Sequence, residues 1–116
     1  MSLDPIADQL AGWGKVALIQ TRGRHSGLAI TTAVGFVEEP GGALLVAAGE
    51  PDADWALNLL ADPRCRARIG EAEREFRAHV VADPAERSAA IGALILKYGT
   101  PAERLGRGPA FRLVPA

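Results

Sequence analysis

Arg64 to Ile69 alternates residue by residue: Cys65, Ala67 and Ile69 fall on one side and Arg64, Arg66 and Arg68 on the other, which predicts a strand with one face buried. After a turn at GEAE, Phe76, Ala78 and Val80 alternate with Glu75, Arg77 and His79, so the next strand returns as its hairpin partner with Arg and Glu facing each other across the pair. The segment PAFRLVP, 109–115, also alternates and reads as a short last strand closing a sheet edge. Elsewhere the period lengthens. Ile6, Leu10 and Trp13 recur at steps of four and three behind Asp4 and Pro5, an N-cap and first helical position, and Gly12 and Gly14 close that helix. Asp83, Pro84 and Glu86 start a longer helix whose stripe of Ile91, Leu94, Ile95 and Tyr98 ends at Gly99.

Between the first helix and the alternating pair lie runs too apolar for a solvated loop. KVALIQTR, 15–22, is β-branched enough for a strand, GRHSG, 23–27, turns it, and Leu28 to Val37 resumes as a second strand. EEPGG, 38–42, then sends ALLVAA back antiparallel. Past the breaker-rich GEPDAD, Asp54 caps a short helix, WALNLLA, with Trp55, Leu59 and Leu60 facing the core until Asp62 and Pro63 stop it. Six strands and three helices, with helices separating hairpins, predict an α+β domain built on a small antiparallel barrel.

Composition narrows the class. At 116 residues the chain fits one domain, and 48% hydrophobic residues rule out disorder. Thirteen Lys and Arg against 14 Asp and Glu leave a formal charge of -1, so no broad attraction to nucleic acid is expected. The purest apolar stretch, Ala43 to Ala48, is far shorter than the roughly 20 residues of a membrane-spanning helix. One cysteine and a start, MSLDPIADQ, without a basic and apolar leader point to a cytoplasmic setting.

Candidate chemistry is sparse. His25, His79 and Cys65 lie too far apart in sequence for a recognised metal spacing, and Cys65 sits on the apolar face, where a thiol acts as a small hydrophobe. GWGKVA, 12–17, precedes a strand and so is no dinucleotide fingerprint. Arg64, Arg66 and Arg68 read as a solvated face neutralised by Glu71, Glu73 and Glu75. Thr21-Arg22-Gly23-Arg24-His25-Ser26-Gly27 is richer: two guanidinium groups, an imidazole, hydroxyls and glycines gather in one turn, which fits either a solvated hairpin or a phosphate cradle. Trp55 and Asn58 lie one helical turn apart as core and loop tie, and Tyr98 can pack its ring while its hydroxyl reaches a pocket.

Taken in order, Leu18-Ile19-Gln20-Thr21-Arg22-Gly23-Arg24-His25-Ser26-Gly27, Thr31-Thr32, Val46-Ala47-Ala48-Gly49, Asp54-Trp55-Ala56-Leu57-Asn58-Leu59 and Phe111-Arg112-Leu113 resemble the deazaflavin-dependent nitroreductase family. That resemblance implies a six-stranded split β-barrel of the FMN-binding type with about three helices. It implies reduced coenzyme F-420 as hydride donor to a small or lipophilic acceptor, a quinone, enone or nitro-aromatic. Arg22, Arg24, His25, Ser26 and Gly27 would hold the cofactor phosphate, Ala48 and Gly49 would flank the ring, and Trp55 and Asn58 of the family helix would also belong to the cofactor-binding residues. Tyr98 is the candidate for acceptor positioning or proton donation. His25 replaces the usual lysine and Ile30 stands where a basic residue often precedes Thr-Thr, so FMN, with one phosphate, is the alternative cofactor. A non-catalytic ligand-binding member is the other alternative. Relatives occur as monomers and homodimers, and either is compatible with the chain.

Overall fold

A computed structural model describes residues 5–99 and 107–116 of the chain. The cap expected at Asp4 and most of the loop before the last strand lie outside the described residues. The elements are α1 (Pro5–Gly12), β1 (Ala17–Arg22), β2 (Ala29–Val34), β3 (Val37–Glu38), β4 (Leu44–Ala47), α2 (Asp54–Ala61), β5 (Arg64–Ile69), β6 (Ala72–Val80), α3 (Pro84–Tyr98) and β7 (Ala110–Pro115). The strands form one antiparallel sheet in the order β2-β1-β5-β6-β7-β4-β3.

The two ends of that order, β2 and β3, are neighbours in sequence with only Gly35 and Phe36 between them. One chain segment therefore lies on both margins of the sheet, and the sheet curls into a barrel. The strand expected over 28–37 is this segment, broken where it passes from one margin to the other. Gly35 permits the break because Tyr98 lies against it: a Cβ there would stand 3.0 Å from the Tyr98 ring. The Tyr98 hydroxyl accepts from the Phe36 N–H at 2.9 Å and reaches the Lys15 carbonyl at 2.8 Å, while Lys97 Nζ donates to the Phe36 carbonyl at 2.7 Å. Backbone groups that leave the ladder at the break thus find side-chain partners on α3.

Ile19, Val34, Phe36, Leu44, Val46, Cys65, Ala67, Phe76, Phe111 and Leu113 fill the barrel, and Trp55, Ala56 and Leu59 of α2 plug one end. A second cluster of Ala47, Val81, Leu94 and Ala110 seats α3 on the outside. Four positions expected on buried faces are exposed, Ile6 of α1 at 67% among them. Leu60 is 52% exposed because the buried face of α2 runs through Trp55, Ala56, Asn58 and Leu59. Val80 is 50% exposed because β6 ends there and Val81 takes the buried place under α3. Trp13, expected on the stripe of α1, lies beyond its end and is 67% exposed. The GEAE turn contracts to a two-residue link, with Ile69 paired to Ala72 and Gly70 at a positive φ of 61°. Asp83 caps α3 as expected, accepting from the Glu86 N–H at 3.0 Å. Asp54, by contrast, is the first residue of α2 and caps nothing; Ala53 stands at the cap without a side-chain bond.

Candidate functional site

The turn between β1 and β2 is tightly built. Gly23 donates to the Leu28 carbonyl and Gly27 to the Gly23 carbonyl, each at 2.8 Å, and Leu28 donates to Ser26 Oγ at 3.2 Å. Gly23 has no room for a side chain, since a Cβ would lie 2.7 Å from Ser26 Oγ, and Gly27 has a φ of 73°, where L side chains are strained. Both glycines are therefore requirements of this geometry.

A buried asparagine ties the turn to α2. Asn58 Oδ1 accepts from the Arg24 backbone N–H at 3.1 Å and from its Nη1 at 2.8 Å, while Nδ2 donates to Thr21 Oγ1 at 3.2 Å. Asn58 and Thr21 are the buried polar residues among those described, 1% and 2% exposed, and they satisfy each other. Arg24 Nη2 pairs with Asp54 Oδ1 at 3.1 Å. Trp55, on the same helix, packs against Phe111 with ring centroids 5.9 Å apart. The Trp-x-x-Asn pattern thus has a physical meaning: the indole anchors α2 in the core and the amide one turn later holds the β1–β2 turn.

This anchoring divides the expected cofactor residues. Arg24 and Asn58 are engaged with each other, so their polar groups hold the turn. Arg22 extends over Gly27, where a Cβ would lie 3.8 Å from its Nη2, and its guanidinium makes no hydrogen bond or ion pair with another described residue. The backbone N–H groups of His25 and Ser26 are likewise without a hydrogen bond among the described residues, and both side chains are exposed. Arg22, His25, Ser26 and Gly27 together present a cationic, donor-rich surface. Ala48 is buried and its N–H goes to the Pro109 carbonyl at 2.9 Å; Gly49 follows it into the connection to α2. Neither is hydrogen-bonded to the turn. Of the acidic residues here, Asp54 pairs with Arg24 and Glu50 lies 3.8 Å from Arg107.

Tyr98 is not brought to the turn. It meets Lys15, Gly35 and Phe36 at the opposite end of the β1–β2 hairpin, about 20 Å away along six strand residues. Its hydroxyl is engaged by backbone, for the same reason that the strand breaks there.

Beside the turn a groove of about 550 Å³ runs over β1, β5 and β6, lined by Arg22, Gly27, Arg64, Arg66, Glu75 and Arg77, with Cys65 and Phe76 on its floor. Burial pushes the Cys65 thiol up to about 11, with the Asp62 carboxylate adding to the shift, so it is no nucleophile near neutrality. Hydrogen bonds from the Arg64 side chain and backbone hold the Asp62 carboxyl down to about 2. Sequence reasoning passed over this groove because its arginines were read strand by strand; the outward positions of three different strands make it. Among the described residues no group of three His, Cys, Asp or Glu side chains is arranged to hold a metal, and no helix is long and apolar enough to cross a membrane.

Compared with known proteins, residues 3–99 match the family described as F420H(2)-dependent quinone reductase. No curated protein matches the chain. Among solved structures, an F420-H2 dependent reductase, FDR-A, is 23% identical with a TM-score of 0.72, covering 85% of this chain and 93% of its own. HutZ, the heme storage protein of Vibrio cholerae, is 20% identical with a TM-score of 0.72, covering 100% of this chain and 92% of its own. A chain described as a domain-swapped dimer is 20% identical with a TM-score of 0.71, covering 93% of each. At these identities the structural likeness establishes the fold, an α+β split barrel.

Proposed function

Because the chain belongs to the F420H(2)-dependent quinone reductase family, we propose that it passes a hydride from reduced coenzyme F-420 to a small or lipophilic acceptor such as a quinone, enone or nitro-aromatic. The observation that carries this reading is the anchored turn: its backbone is held by Asn58, while the Arg22 guanidinium and the His25 and Ser26 N–H groups point no donor at any other described residue. Such a donor set fits a phosphate. When bound, the deazaflavin supplies the hydride.

The chain's own residues then have three tasks. Arg22, His25 and Ser26 hold the anionic tail, with Gly27 letting the backbone come close. Thr21, Asn58 and Arg24 keep the turn in one conformation, so little ordering is required on binding. Leu28, 69% exposed beside the turn, and the half-buried Ile30 offer an apolar lip for a lipophilic acceptor. Holding donor and acceptor carbons in near-attack geometry is how such a site accelerates transfer. The test is turnover: reduced coenzyme F-420 with menadione or a nitro-aromatic should be oxidised faster with the protein than without it. No acceleration with any of these acceptors would refute the catalytic reading and leave a ligand-binding member.

One observation favours FMN as a second reading. With Arg24 held by Asp54 and Asn58, Arg22 is the turn's one guanidinium free of hydrogen bonds and ion pairs among the described residues, a charge that suits a single phosphate. Parallel titrations with FMN and coenzyme F-420 separate the two by which binds more tightly.

A further inference from the structure

The outward faces of β1, β5 and β6 carry a row of arginines that the hairpin pairing does not neutralise. Along the β5–β6 hairpin, Arg66 stands opposite Glu75 and Arg68 opposite Glu73, the expected complementary pairs. One step further Arg64 stands directly opposite Arg77. Directly opposed residues have Cβ atoms about 5 Å apart, and like charges there destabilise a sheet. The β1–β5 pairing ends where Gln20 meets Arg66, and Arg22, two residues further along β1, lines the same groove as Arg64 and Arg77, so the three arginines border it from three adjacent strands. The wall of the groove holds four arginines, Arg66 among them, against one acidic side chain, Glu75, with Ala116 beside them, in a chain of formal charge -1. Asp62 answers Arg64 from the strand's start, with its oxygens 2.9 and 3.1 Å from the guanidinium. The guanidinium groups of Arg77 and Arg22 make no hydrogen bond or ion pair with described residues, although the Asp62 carboxylate also feels the charge of Arg22.

We propose that the Arg22–Arg64–Arg77 row is an oxyanion-binding site whose ligand, a phosphate or carboxylate group, relieves the repulsion between the opposed arginines. A guanidinium offers paired N–H donors that match either group, and several side by side can share a ligand with more than one oxyanion. The groove is large enough for such a ligand, and Cys65 and Phe76 give it an apolar floor. Its chemistry is shared by two sources: a free small anion, or an anionic extension of a cofactor seated at the neighbouring turn. Only the second source rests on the cofactor reading.

The test begins with inorganic pyrophosphate, titrated calorimetrically into the protein at low salt. Saturable binding that weakens as salt is added is expected. Arg77→Leu should weaken it about tenfold or more, whereas Arg107→Leu, the same charge change at an exposed residue outside the groove, should not. Arg77→Leu should also unfold at a higher temperature than the wild type without ligand, because it removes the opposed charge; this readout confirms that the variant folds. Absence of pyrophosphate binding by the wild type, or equal binding by Arg77→Leu, overturns the proposal. Coenzyme F-420 with and without its glutamyl tail separates the sources. A preference for the tailed form that Arg77→Leu abolishes assigns the row to the cofactor's tail, and pyrophosphate binding without such a preference assigns it to a free anion. Pyrophosphate binding in a protein that ignores deazaflavin supports the row while refuting the cofactor reading.

Discussion

Single residues decide more here than their exposure suggests. Asn58 makes three hydrogen bonds, two of them to Arg24, and Asn58→Ala leaves Thr21 buried beside an unfilled amide position. A loss of about 2–3 kcal/mol is expected in denaturant unfolding, together with weaker cofactor binding because the turn is no longer fixed. Tyr98→Phe removes a hydroxyl that serves Phe36 and Lys15. It should cost about 1–2 kcal/mol of stability while leaving cofactor affinity near the wild-type value; a large fall in kcat with unchanged stability would instead restore Tyr98 to the chemistry. Cys65 carries a pH signature. Its folded pKa of about 11 lies above the ordinary thiol value of 9.0, so in between the unfolded chain gives up a proton that the folded chain keeps. The thiol's contribution is thus complete below about 9 and declines as pH rises toward about 11, by up to about 1.4 kcal/mol per pH unit. Unfolding curves across that range, and resistance of the folded thiol to alkylation under mildly alkaline conditions, check it.

At the scale of elements, close approaches are what the pattern of polar and apolar residues does not announce. Gly108 precedes β7, and a Cβ there would lie 2.6 and 2.7 Å from the carbonyl oxygens of Glu50 and Ala48, which are backbone and cannot swing aside. Gly108→Ala should therefore destabilise the fold by about 2–3 kcal/mol, seen as a lowered unfolding midpoint, whereas Gly92→Ala on α3, where a Cβ meets nothing, should not. The strands with strict alternation, β5 and β6, and the helix capped by Asp83 were legible because local chemistry alone fixes them. The break at Gly35 was not, because its cause is Tyr98, 63 positions further along the chain. For the same reason Leu60 and Val80 were misplaced: a short helix and a strand end present more than one apolar face, and the tertiary partner chooses between them.

For the whole molecule, closure of the sheet is the organising fact. Passing one segment from margin to margin forms the barrel, α2 plugs it, and the plug reaches out through Asn58 to hold the turn proposed to bind the ligand. The turn's residue types were visible in the sequence. Which of them are available was not, since Arg24 looks as free as Arg22 until α2 is folded against it. The groove beyond was hidden for a related reason: Arg22, Arg64 and Arg77 are separated in sequence and come to one groove only in the folded sheet.

The most direct measurement is the fluorescence anisotropy of coenzyme F-420 titrated with wild-type protein and with Arg22→Ala. The account predicts saturable binding by the wild type, weakened about tenfold or more in the variant because the turn loses its free guanidinium. A flat titration, or identical curves for the two proteins, would contradict it.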